Sequence, residues 1–247
     1  MKKVLWLSLA LLLVVGCSYK KGSTNQSDND AVNYSQYIKS DSTLDNVVEK
    51  NVSLNAKEHK LTFIYSYNVK ESDEGPDGYY YVSVLLDNKA ISSDLISKEI
   101  ANDDMEDNDI ESFKSAFLSK VKKDFLISDD DINLIKDSDN NDIIALNIYN
   151  MFIYPGYYTS NVYYFNSNTL TGYIENIDTN SWTLNDSNNN LVNNPNFEIK
   201  KDMTTYYSCS KGIVTKYKVT IGDNKLNKEL LKTYQNEVDG YTVSGGC

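Results

Sequence analysis

From Leu61 to Val69 the chain alternates: Leu61, Phe63, Tyr65, Tyr67 and Val69 fall on one parity, with Thr62, Ser66 and Asn68 between them. A period of two predicts a strand with one apolar face. Asp73 to Gly78 is dense in turn formers, and Tyr79 to Leu86 reads as the second arm of a hairpin. The period then lengthens. Ser92 or Ser93 followed by Leu95, Ile96, Glu99 and Ile100 predicts a short helix. Asn108 with Glu111 has the spacing of a capping box ahead of Ile110, Phe113, Phe117 and Val121, one stripe of a second helix. Ile143 to Tyr154 is a long strand-like run ended by Pro155-Gly156. Tyr157 to Phe165 and Gly172 to Ile177 form a hairpin, Ser181 to Leu184 a short strand, and Asp186 to Asn196 a loop. Thr205 to Cys209 and Ile213 to Ile221 pair around Ser210-Lys211-Gly212. Leu226, Leu230, Tyr234 and Val238, four residues apart, predict a last helix over residues 227–238 that stops at Gly240. The expected fold is α+β: a predominantly antiparallel sheet with about three helices packed on it.

The N-terminus reads differently. Lys2 and Lys3 precede an apolar run from Val4 to Val15. A dozen such residues are short of the roughly twenty that span a bilayer as a helix, and the arrangement is that of a secretory leader. The run closes on Val14-Val15-Gly16-Cys17, which resembles the lipobox of bacterial lipoproteins. The resemblance covers about the first twenty residues. It implies a diacylglycerol, with its palmitate-type chains, on the Cys17 sulfur and removal of residues 1–16. Two acyl chains, at roughly 0.8 kcal/mol per buried methylene, would hold the product at the outer face of the cytoplasmic membrane. Residues 17–46 are then expected to be a polar, disordered tether with a root-mean-square reach of roughly 30 Å. Residues 47–247 are expected to form a single domain.

Composition narrows the partners. All 24 basic residues are lysine, the net charge is −11 and the pI is near 4.6. Lysine, asparagine, isoleucine and tyrosine abound, the mark of an AT-rich genome, and with the lipobox this points to a Gram-positive source. The overall negative field disfavours nucleic acid and attracts cations or cationic proteins. Cys209 and Cys247 remain after the leader. Outside the cell they either pair, with a chain-entropy gain of about 4 kcal/mol, or stay as free thiols in an organism living without oxygen.

Catalytic chemistry finds little to use. His59 is the lone histidine, set between charged residues at a strand start, and no Gly-x-Ser-x-Gly elbow accompanies it. One histidine and two distant cysteines do not make a zinc site. Asp137 to Asp142 begins like a calcium loop. Its sixth position is Asp142, where glycine is required, and its twelfth is Ile148, where glutamate is required. Asp129 to Asp131 and this run therefore read as solvated loops. No cofactor, no metal and no catalytic residue is expected.

Tyrosine is the unusual residue, with 20 copies. Neighbours on a strand face opposite ways, so Tyr79, Tyr81, Tyr157, Tyr163 and Tyr206 are the candidates for an outward binding surface. The preferred reading is a non-catalytic binding or accessory module of the cell envelope, its partner an envelope protein, a wall component or a cationic protein. The alternatives are an acidic inhibitor or immunity-type lipoprotein that captures a cationic hydrolase such as lysozyme, and a wall-active hydrolase using carboxylates.

Overall fold

Five two-residue turns set the topology, each with both central residues in the left-handed region: Asn55-Ala56, Asp87-Asn88, Ser167-Asn168, Lys211-Gly212 and Asp223-Asn224. Paired positive φ values match the twist of flanking strands and close tight hairpins. The computed structural model describes residues 32–73, 75–91, 101–102, 109–124, 126–151, 158–178, 181–235 and 240–247. Cys17, the leader, the first expected helix and Tyr157 lie outside them. From Asn33 onward the described residues form one compact unit.

Among the described residues there are fifteen strands and one α-helix. The first sheet holds β1 (Thr43–Leu54), β2 (Lys57–Ser72) and β3 (Gly75–Leu86), with the short β4 (Lys89–Ala90) and β5 (Ala101–Asn102) both on β3. The second runs β6 (Ile132–Lys136), β7 (Asp142–Met151), β8 (Tyr158–Asn166), β9 (Thr169–Asp178). The third runs β11 (Phe197–Ile199), β12 (Thr204–Ser210), β13 (Ile213–Gly222), β14 (Lys225–Gln235). A two-stranded ribbon joins β10 (Trp182–Asn185) to β15 (Thr242–Gly245). Every pairing is antiparallel.

Three cores separate these layers. Phe63, Tyr65, Tyr80 and Val82 of the first sheet meet Ile144, Leu146 and Phe165 of the second, together with Phe113, Phe117 and Val121 of the helix. The opposite face of the second sheet, with Ile143, Val162 and Tyr164, packs on Tyr206, Val219 and Ile221 of the third. The third sheet's other face places Tyr207, Val214 and Tyr234 against Trp182 and Leu184 of the ribbon. The helix α1 (Ile110–Asp124) bears the expected stripe, and Asp109 caps it, its carboxylate accepting from the Ser112 backbone N–H at 3.1 Å. Gly78 sits under this helix: a Cβ there would come within 2.8 Å of the Phe117 ring.

The hairpins at residues 61–86, 158–178 and 204–222 form as expected, and the boundary expected at 46/47 falls inside β1. The fold class does not hold: the chain is mostly antiparallel β. Up to Gln235 the segment expected as a last helix is the strand β14, paired with β13 on both sides of a bulge at Leu231; residues 236–238 lie outside the described residues. Leucine, lysine and glutamate are good helix formers, but propensity is a small term per residue and tertiary pairing overrides it here. The Asp223-Asn224 turn delivers the segment straight to the open edge of β13. A step of four is also even, so Leu226 and Leu230 share a strand face. The bulge near Leu231 then switches parity and carries Tyr234 to the other face.

The outward tyrosine surface is also corrected. Tyr81, Tyr163 and Tyr206 are buried and Tyr79 is half-buried. Alternation sends Tyr163 into the first core and Tyr164 into the second, Tyr206 into the second and Tyr207 into the third. The inference of one exposed ring per pair assumes a sheet with one wet face, and at these tyrosines both faces are covered.

Candidate binding surface

The third sheet is only partly covered on the side of the ribbon. There β13 and β14 place two lysines directly opposite each other, Lys216 and Lys232. Like charges in cross-strand register are destabilising. Each has an aromatic floor: Lys216 Nζ lies 5.0 Å from the centre of the Tyr207 ring, and Lys232 Nζ lies 4.7 and 4.5 Å from those of Tyr234 and Tyr241. Lys232 also donates to the Tyr241 hydroxyl at 3.0 Å. Such contacts contribute about 0.5–1 kcal/mol each at exposed sites. Two residues along β13, Lys218 stands on the same face in register with Thr205 and Glu229. Among the described residues, neither Lys216 nor Lys218 has a carboxylate within ion-pair distance. Both are half-buried, while Lys232 and, further along β14, Lys225 are exposed.

Cys209 lies on the same face, two residues beyond Tyr207, and is joined to Cys247 with a Cα–Cα separation of 5.5 Å. The disulfide pins the C-terminal end of β15 beside this surface. The sheet's other face carries a second lysine over tyrosine: Lys228 Nζ is 3.9 Å from the Tyr217 ring centre and 5.2 Å from that of Tyr206, and these two rings stack at 5.3 Å. Tyr163 likewise stacks on Tyr173 at 5.5 Å, and Lys39 covers Tyr81 at 4.5 Å.

The remaining candidates are occupied by structural work. His59 Nδ1 lies 2.7 Å from Asp87, whose other oxygen accepts the Lys60 N–H at 2.9 Å; the pair locks the β3–β4 turn to β2. Asp137 accepts from the N–H groups of Asp139 and Asn141, and Asp186 from those of Asn188 and Asn190. Asp131 caps the turn at Ser128. Asp142 receives Lys136 at 2.5 Å and the Asn55 N–H at 2.5 Å. Lys136 first, then the Asn55 amide, hold Asp142 below the usual carboxylate range. Among the described residues no group of three histidine, cysteine or carboxylate side chains could hold a metal ion. A cleft of about 210 Å³ opens beside the start of the helix, lined by Asp41, Tyr67, Glu111 and Lys114, with Lys114 5.6 Å from the Tyr67 ring.

Of the residues expected from sequence, Cys209 and Cys247 stand beside the lysine face. Tyr206 belongs to the same sheet but points away from it, and Tyr79, Tyr81 and Tyr163 belong to other layers. A helix over residues 227–238 would hide the Lys216–Lys232 register, and with it the lysine face. The Asp223-Asn224 turn signal was the clue that could have revealed it. No protein-family model, no curated protein and no solved structure matches the chain.

Proposed function

We propose that this chain is a lipid-anchored, non-catalytic binding module of a bacterial envelope. Cys17 carries the anchor, and the ligand is engaged at the face bearing Lys216, Lys218 and Lys232. One observation supports this above the others: like charges face each other across β13 and β14 on a chain whose net charge is −11. Among the described residues no carboxylate lies within ion-pair distance of Lys216, a departure from local pairing of the kind that functional sites retain. The carboxylates of Asp87, Asp137, Asp142 and Asp186 serve turns, which weighs for binding over hydrolysis.

Two measurements test the reading. Mass spectrometry of the protein from membranes is expected to find residues 1–16 absent and a diacylglycerol on Cys17; an intact N-terminus overturns the anchor. Co-sedimentation with isolated cell-wall material is expected to fall at least tenfold in the Lys216→Thr/Lys218→Thr double variant. Equal sedimentation of the two proteins overturns the proposed face. The capture of a cationic hydrolase draws on the overall negative charge alone, and it would leave hydrolase inhibition untouched by that double variant.

A further inference from the structure

We propose that residues 33–42 are a releasable strap, which lifts off the first sheet as a unit while the sheets stay folded and lengthens the chain between anchor and domain. The lengthening rests on the Cys17 anchor proposed above. The strap lies on the face of the first sheet turned away from the first core. There Thr62, Ile64 and Ser66 of β2 stand in register with Leu85, Ser83 and Tyr81 of β3. All six are buried, and Ile64, Tyr81 and Leu85 belong to none of the three cores. Residues 33–42, which the sequence places in the tether, are held on this patch by a few side-chain contacts. The Ser83 hydroxyl donates to the Tyr37 carbonyl at 2.5 Å, and the Tyr37 hydroxyl to the Asn88 carbonyl at 3.2 Å. The Tyr34 hydroxyl donates to Glu49 at 3.2 Å, and Lys39 Nζ sits 4.5 Å from the Tyr81 ring centre.

Two features make this segment separable. It pairs with no strand, and its single 3-10 turn, Tyr34–Tyr37, buries no residue of its own. Segments with few buried apolar contacts open at the low end of a protein's free-energy range. The docked state also leaves two hydroxyls stranded. Thr62 Oγ1, beneath the patch, and Ser42 Oγ, at the end of the strap, are buried without a hydrogen-bond partner. Each carries a desolvation cost that water relieves once the strap lifts. Release stops at Thr43, where the continuous pairing of β1 with β2 begins. Asn33 is 16 residues from Cys17, and Thr43 is 26. At roughly 3.5 Å per residue, undocking raises the longest possible span from about 55 Å to about 90 Å.

The test is maleimide labelling of the full chain, purified from membranes in detergent, with each label located by mass spectrometry. Thr62→Cys puts a thiol beneath the strap and forfeits no hydrogen bond. Ala145→Cys, fully buried between the second and third sheets, reports global unfolding. Cys209 and Cys247 are paired and stay silent, as does a lipidated Cys17. Thr62→Cys is expected to label at least tenfold faster than Ala145→Cys. Low urea is expected to change the first rate little and the second steeply, since a strap exposes far less surface than a domain. Tyr34→Phe/Tyr37→Phe removes two of the strap's hydrogen bonds and is expected to speed labelling of Thr62→Cys about tenfold. In the chain without an added cysteine, the same tyrosine pair is expected to speed lysine-specific cleavage after Lys39. Equal rates and equal urea dependence at the two cysteines overturn the proposal, because the strap then opens only with the whole domain. Labelling and cleavage unmoved by the tyrosine variant overturn it as well. A maleimide on Cys17 overturns the anchor and the lengthening with it, while Thr62→Cys still decides whether the strap lifts.

Discussion

A buried side-chain hydrogen bond ties the second sheet to the third, and its removal is the sharpest test of the layered fold. The Tyr164 hydroxyl donates to Thr204 Oγ1 at 2.7 Å, and both residues are fully buried. Tyr164→Phe leaves the threonine oxygen in an apolar core without its donor, a cost of about 1–3 kcal/mol. Thr204→Val strands the tyrosine hydroxyl in the same way and costs a similar amount. Removing both partners restores a matched apolar contact, and such double replacements are close to neutral. The cycle is therefore strongly non-additive: the double variant is expected to be at least about 1 kcal/mol more stable than the sum of the singles implies. Urea unfolding followed by tryptophan fluorescence reads it, with the midpoint moving while the slope m stays constant. Additive losses, or singles each costing under about 0.5 kcal/mol, would mean that these two hydroxyls do not meet and that the two sheets do not stack through them.

Other outcomes follow from the same coordinates. Cys209 and Cys247 are 38 residues apart, so reduction or Cys209→Ala/Cys247→Ala is expected to cost about 4 kcal/mol, some 8–16 °C in Tm; a scan unmoved by reductant refutes this. Ala56 holds φ 63° in the β1–β2 turn, so Ala56→Gly is expected to raise stability by about 0.5–1 kcal/mol, against a loss if the turn were right-handed. Burial pushes the Tyr65 hydroxyl up to about 12. Tyrosine is protonated in both states below pH 10. Between roughly 10 and 12 only the unfolded chain ionises, so stability falls as pH rises through that window, by up to about 3 kcal/mol. Tyr65→Phe is expected to flatten that alkaline slope in unfolding curves taken at pH 9 to 12, and an unchanged slope refutes the assignment.

Hairpins were legible because their information is local. Alternation plus a turn pair identifies two strands and their register, as at Leu61–Leu86 and at Thr204–Gly222. What lay beyond the sequence was how many layers would stack. Tyr163-Tyr164 and Tyr206-Tyr207 read the same whether the second ring meets water or another sheet; only the tertiary partner decides. β14 failed for a related reason. Its Leu226 and Leu230 satisfy both periods, and the bulge near Leu231 erases the alternation that would have distinguished them. The candidate site depended on that strand, since Lys216 becomes unusual only when Lys232 is seen across from it.

Net charge is a poor guide to where such a protein binds, because some of its acids have local employment. The Lys60 amide, then His59, hold the Asp87 carboxyl below the usual range; the Asn190 side chain, then the backbone N–H groups of Asn190 and Asn188, do so for Asp186. Carboxylates in turns cap amides that would otherwise be unpaired, and a partner is not needed to explain them. Lysines on a strand have no comparable backbone role, since an ammonium donates and the amides of a paired strand are already bonded. Lys50, Lys60, Lys122 and Lys136 answer to nearby carboxylates at 2.5–2.8 Å. Among the described residues Lys216 and Lys218 answer to none, and Lys216 has another lysine opposite. The face bearing Lys216 and Lys218 thus departs locally from the net charge of −11, and it favours an anion on an otherwise acidic protein.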